Sequence, residues 1–318
     1  MYRKVLCISV LTVLLALFIA CDSSAGYSGP DFSASQENGV DWYLWVTNRT
    51  YQTYDFSLYI PDGYDEALEY PIVVCIHGGG GGFSTPSPHP LNELGGGPIQ
   101  MLFDSNGIFH PERRADLHPD ARVSFVVIPE EQAKDYAKGY WDAQRINMIL
   151  DYMCENYSID KTRIYLTGGS YGGWASYHIC ATTDRPDLIP AAIVPMCGGN
   201  FEHSRILVPN LSIENFDQIA VWHFHSIDDP VVPYTDSVSV LREITPGHPD
   251  FMGGHPALSN SDGTVSFNDT DGLGEWQTGV VYPEGRITLT LFGSGGHGIG
   301  DLVVTNTDVW DWLYSQHR

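Results

Sequence analysis

Basic residues are scarce in this chain. Sixteen Lys and Arg stand against 39 Asp and Glu, a formal charge of −23 over 318 residues. Nucleic-acid binding needs a basic face that displaces counterions from phosphates, so this balance excludes it. The same balance argues against anionic lipid surfaces and polyanionic substrates. Cysteine is scarce too. None of the six has CxxC or Cys/His metal-ligand spacing, so the sequence supports no zinc site, and no metal or cofactor is expected. No Lys followed by Ser or Thr closes a phosphate-binding glycine loop. The 33 glycines show no G-X-Y period, which excludes collagen, and 43% hydrophobic content with 17% charged excludes wholesale disorder.

Long apolar runs are absent beyond the N-terminus. There, Arg3 and Lys4 precede a mostly apolar run from Val5 to Ala20, too short for a comfortable membrane span. Phe18-Ile19-Ala20-Cys21 resembles the lipobox of bacterial lipoproteins, which implies a signal peptide over 1–20 and lipidation of Cys21. An ordinary secretory cut, for instance after Ala25, is the alternative. Either way the protein is expected to be exported, as a membrane-anchored lipoprotein (periplasmic or cell surface) or as a secreted one. Residues 21–40 read as a tether and 41–318 as one catalytic domain. Cys75 and Cys197 sit in apolar runs and read as buried thiols, and a Cys154–Cys180 bridge stays open.

Alternation of strand and helix patterns fills the domain. Tyr54, Phe56, Leu58 and Ile60 alternate with polar neighbours, a half-buried strand. Ile72–Ile76 and Phe125–Ile128 are short continuous apolar runs, as in strands buried on both faces. Ala143, Ile146, Leu150, Met153 and Tyr157 mark one helix face. Further strands are expected at 164–166, 192–196, 219–224 and 287–292, with helices at 171–182, 235–244 and 306–316. Such alternation predicts a parallel sheet with helices on both faces. The stretch 245–282, rich in Gly, Asp and Asn, reads as an inserted surface loop.

Three motifs carry chemistry. Gly168-Gly169-Ser170-Tyr171-Gly172 follows an apolar strand and opens a helix, the context of a nucleophile elbow with Ser170 as nucleophile. His77-Gly78-Gly79-Gly80 directly follows the strand 72–76. Glycines there let backbone N–H groups approach a developing oxyanion, so the expected donors are the amide of Tyr171 and one amide from Gly78, Gly79 or Gly80. A serine hydroxyl needs a base, and the base a carboxylate. His297, among glycines after strand 287–292, is the expected base. Asp229, after strand 219–224, is the expected acid, with Asp228 the alternative. His223 and His225 precede the acid and read as structural or site-lining. His77, Phe83, Trp141, Tyr171 and Trp174 are candidates for lining the substrate site.

These residues together resemble the α/β-hydrolase fold. More narrowly, they are similar to the esterases that include polyhydroxybutyrate depolymerases, feruloyl and acetylxylan esterases and related "predicted peptidase" lipoproteins. The resemblance covers roughly 50–316 and rests on IVVCIHGGGGG, on Trp141, on YSIDKTRIYLTGGSYGG, AAIVPMCGGN and VWHFHSIDDPVVP, and on GGHG before VWDWLYSQ. It implies a mostly parallel central sheet and ester substrates, polysaccharide- or polyester-linked, and it assigns the acid to Asp229. Ser226 departs from the usual glycine, and Gly298-Ile299-Gly300 departs from the usual residues after the base. The link 197–219 is too short for a large cap. A serine peptidase or acyltransferase would use the same triad. A catalytically dead surface-binding lipoprotein is the reading outside enzymes, and the filled triad positions argue against it.

Overall fold

The structure is a computed structural model that describes residues 30–37, 40–50, 52–79, 97–104, 108–130, 141–202, 204, 210–245, 277–282 (backbone only) and 286–318. The expected signal peptide, Cys21, Gly80 and Phe83 lie outside the described residues.

Ten strands form one sheet: β1 Phe32–Glu37, β2 Val40–Asn48, β3 Asp55–Tyr59, β4 Tyr70–Ile76, β5 Phe125–Glu130, β6 Ile159–Gly169, β7 Ala192–Met196, β8 Ala220–Ser226, β9 Gln277–Tyr282 and β10 Ile287–Phe292. Their order is β1-β2-β3-β5-β4-β6-β7-β8-β10-β9. The six strands from β5 to β10 in the middle of that order are mutually parallel. This is the expected parallel core. The connections explain it: parallel neighbours need a crossover, and helices at Ala143–Asn156, Tyr171–Thr182 and Tyr234–Ile244 fill those crossovers.

Both margins of the sheet are antiparallel. On one side β1, β2 and β3 run antiparallel to their neighbours, and on the other β9 pairs antiparallel with β10. Two sequence expectations are corrected here. The expected tether contains β1, whose two-residue link to β2 forces a hairpin. The expected inserted loop ends in β9; its residues 246–276 lie outside the described part.

The period of two along β4 divides the core. Ile72, Val74 and Ile76 face one side and Val73 and Cys75 the other. Ile146, Leu150 and Met153 cover the first face, with Ala175, Ile179, Val240 and Leu241. The expected helix stripe of 143–157 is therefore the buried one. Val303, Val309, Trp310 and Leu313, from the helices Gly300–Val304 and Thr307–Ser315, cover the second face. All seven residues of β4 are buried, and each fully buried aliphatic side chain among them contributes about 2 kcal/mol. All four described cysteines are free thiols, so the Cys154–Cys180 bridge does not form. Among the described residues, no helix is long and apolar enough to cross a membrane.

Candidate active site

β6 ends at Gly169 and a helix starts at Tyr171, so Ser170 must turn the chain within one residue. It does so at φ 54° and ψ −117°, a positive φ outside the regions that L-residues favour. The flanking glycines follow from packing. A Cβ on Gly168 would sit 2.5 Å from the Ile76 carbonyl oxygen, and one on Gly172 only 2.0 Å from it. The second glycine of the GGS run, Gly169, has open space around it and is not required by contact. Gly198, in the segment AAIVPMCGGN, has no role assigned from sequence, yet a Cβ there would lie 2.0 Å from the Ser170 carbonyl oxygen. The elbow therefore needs a small residue from the β7 loop as well. The Ser170 N–H donates to the Met196 carbonyl at 2.8 Å, which ties the turn to β7.

His297 arrives on the loop after β10, and Asp229 on the loop after β8. His297 Nε2 is 2.8 Å from Ser170 Oγ, and His297 Nδ1 is 2.7 Å from Asp229 Oδ2. The carboxylate can only accept, so Nδ1 carries the proton and Nε2 accepts from the serine hydroxyl. Asp229 has no exposed side-chain surface. Burial alone would raise its pKa, but the His297 bond and the Val232 and Val231 amides outweigh that and hold it below the usual carboxylate value. Those amides donate to Oδ1 at 3.0 and 2.8 Å.

Asp228 does other work. Its Oδ1 accepts from the Gly296 N–H at 2.8 Å and from Ser226 Oγ at 2.5 Å. The departure Ser226 thus holds the carboxylate that pins the histidine loop. The Ser226 bond is the largest influence holding Asp228 below its usual pKa.

The topology carries the match to solved structures. A thermostable esterase of known structure superposes with a TM-score of 0.58 at 20% identity, over 88% of this chain and 64% of that one. The fold is that of the α/β-hydrolases. No protein-family model matches the chain. In sequence, the α/β-hydrolase fold here is 29% identical over 134 residues to a bifunctional acetylxylan esterase/xylanase of Neocallimastix patriciarum, covering 40% of this chain. It is 23% identical over 194 residues to "Probable feruloyl esterase C" of Aspergillus terreus, covering 59% of this chain. These alignments span 18% and 60% of the two relatives.

Within this fold, Gly78 and Gly79 border the elbow: a Cβ on Gly78 would lie 3.4 Å from Ser170 Cβ, and one on Gly79 3.8 Å from Tyr171 Cβ. His77, Trp141 and Trp174 do not line an open surface as expected. His77 is buried, with its Nδ1–H donating to the Gly78 carbonyl at 2.8 Å, and burial lowers its pKa. Trp141 is fully buried between Tyr54 and His77. Trp174 is buried and stacks between Tyr171 and His178. Their apolar rings are used up in supporting the HGG loop and the elbow helix, which the sequence pattern alone does not reveal. Tyr171 stays half-exposed beside Ser170.

Cys197, Asp229 and His297 bring metal-ligand-type atoms within 4.8 Å of one another. Two of those atoms already face each other in the 2.7 Å His297–Asp229 hydrogen bond, so the cluster reads as part of the triad. A second such cluster, His118, Asp120 and Asp311, is at the surface.

Proposed function

We propose that this chain is an exported serine carboxylic-ester hydrolase acting through an acyl-enzyme, on acetyl or aryl esters carried by a polysaccharide or polyester. One observation supports it most: a strained serine hydroxyl lies 2.8 Å from a histidine whose other nitrogen is 2.7 Å from a buried carboxylate. The two esterase relatives support the ester class.

Ser170 Oγ attacks the ester carbonyl while His297 Nε2 takes its proton. The negative charge forms on the carbonyl oxygen and is stabilised by the amide of Tyr171, at the helix N-terminus, together with Gly78 or Gly79. His297 then gives the proton to the departing alkoxide, leaving an acyl-serine and an alcohol. Water, deprotonated by His297, releases the acid and restores the serine. Asp229 stabilises the imidazolium in both halves. The short link between β7 and β8 leaves no room for a large cap, which suits an ester on a bulky polymer.

The test is turnover of p-nitrophenyl acetate, methyl ferulate, acetylated xylan and peptide amides, with fluorophosphonate labelling alongside. Ser170→Ala should abolish labelling and lower ester turnover by several orders of magnitude while the protein stays folded. A mutant that keeps about a tenth of wild-type turnover overturns the assignment, and turnover of amides alone moves it to a peptidase. Lipid anchoring through Cys21 is tested by detergent partitioning: wild type should enter the detergent phase and Cys21→Ser should not.

A further inference from the structure

Beyond the triad lies a second line of polar groups in the core, all buried. Tyr177 Oη is 2.7 Å from His223 Nδ1, and His223 Nε2 is 2.7 Å from Ser237 Oγ. Ser237 Oγ is 2.5 Å from His225 Nδ1. His225 Nε2 is 3.0 Å from the Val232 carbonyl oxygen and 3.2 Å from Asp229 Oδ2. The side chains of His225 and Asp229 have no exposed surface. The line draws on three elements: the elbow helix (Tyr177), β8 (His223, His225) and the helix Tyr234–Ile244 (Ser237).

The proton order in this line is forced. His225 Nε2 faces two acceptors, a carbonyl and a carboxylate, so it must carry a hydrogen. Burial depresses the pKa of both histidines, so each is neutral and has one N–H. His225 Nδ1 therefore accepts, and its donor is the Ser237 hydroxyl. Having spent its only hydrogen, Ser237 Oγ accepts from His223 Nε2–H. His223 Nδ1 then accepts from Tyr177, whose phenol burial keeps protonated. Every donor points the same way, and the last hydrogen, on His225 Nε2, is donated to the Val232 carbonyl with Asp229 Oδ2 3.2 Å away.

We propose that His225 is a positioning residue for the acid of the triad, contacting the same Asp229 Oδ2 that accepts from His297, with its tautomer set by Ser237, His223 and Tyr177. This deepens the serine-hydrolase reading and rests on it. Asp229 then accepts three hydrogen bonds, two from amides on Oδ1 and one from His297 on Oδ2, and has the His225 N–H edge 3.2 Å from that same Oδ2. Such a carboxylate cannot rotate away from His297 without breaking bonds in a dry interior, where unpaired polar groups are costly. A merely space-filling role would be served by apolar side chains at Tyr177, His223, Ser237 and His225, at no cost in buried polarity.

The experiment compares His225→Leu, His225→Gln and Ser237→Ala with Asp229→Asn and Ser170→Ala, using p-nitrophenyl acetate. Gln keeps an N–H donor near the ε position. His225→Leu should lower kcat between about tenfold and a hundredfold, the range seen when a partner orienting a functional ligand is removed, with KM little changed. His225→Gln should recover most of that loss, and Ser237→Ala should lose less than His225→Leu. Combined with Asp229→Asn, His225→Leu should add almost nothing, because it acts through the same carboxylate. Histidine ¹⁵N spectra of the wild type, which need no variant to fold, should show His223 and His225 neutral and protonated on Nε2 near neutral pH. A folded His225→Leu with kcat within about twofold of wild type overturns the proposal, as does full additivity with Asp229→Asn or an Nδ1–H tautomer at His225. Wild-type turnover by Ser170→Ala would instead overturn the serine-hydrolase reading.

Discussion

At the scale of single residues, two adjacent aspartates with similar surroundings in sequence do different work. Pro230 has no N–H and pushes Asp229 towards extended geometry, which takes its carboxylate past the strand end to His297. Asp228 points to the Gly296 amide and Ser226 instead. Asp229→Asn should lower kcat by on the order of 10⁴, because an amide cannot hold the imidazolium and favours the wrong tautomer. Asp228→Asn should cost less than about tenfold, since an amide oxygen still accepts from Gly296 N–H and Ser226 Oγ–H. Steady-state kinetics on both variants check this, and equal losses would mean that the histidine loop matters as much as the acid.

At the scale of elements, the elbow is a packing problem among β4, β6, β7 and the helix Tyr171–Thr182. The helix N-terminus approaches the Ile76 carbonyl so closely that Gly172 has no room for a methyl group. Gly172→Ala should destabilise the fold by about 3 kcal/mol and displace Ser170, since the atoms a methyl group would meet, in the carbonyls of Ile76 and His77, are all backbone. Gly169→Ala meets nothing within 4 Å and should change stability by less than about 0.5 kcal/mol. Urea unfolding of the two variants measures the contrast directly. The buried tryptophans belong to this scale as well. Trp141 and Trp174 brace the two loops that meet at Ser170, so their truncation should reduce stability together with activity.

At the scale of the whole molecule, the acidic balance has a local consequence. Glu130 ends β5 directly opposite Asp55 of β3. Burial, with the Asp55 charge adding to it, pushes the Glu130 carboxyl up to about 7. An acid whose pKa is raised on folding favours the folded state while protonated. The chain therefore loses stability as pH rises from the unfolded value, about 4.3, through about 7. Glu130→Gln should match wild type at low pH and unfold at higher temperature at about pH 8. Glu130 is partly open to solvent, so the gain is about 1 kcal/mol, or roughly 2 °C for a chain of this size. Thermal melts across that pH range decide it; a gain that is equal at both ends would remove the ionisation as its cause.

The sequence by itself determined the local pieces: which runs are strands, the helix stripe from Ala143 to Met153, the elbow at Ser170 and the glycine-flanked His297. These are legible because apolar periodicity and glycine clusters report on backbone conformation within a few residues. Between Asp229 and Asp228 the residues alone left both open, and it was the resemblance that named Asp229. Only the tertiary structure decided what lies across the sheet. β1 was hidden because a short polar edge strand has the composition of a tether, and its pairing with β2 is what orders it. Trp141, Trp174 and His77 were read as site-lining because an aromatic near a motif looks the same in sequence whether it faces solvent or core. Gly198 and His225 stand inside segments that carry the resemblance, but the segments alone do not say what either residue touches. Gly198 is required by a carbonyl 28 positions earlier in the chain, a demand that exists only once the strands are side by side, whereas His225 meets a carboxylate four residues further on.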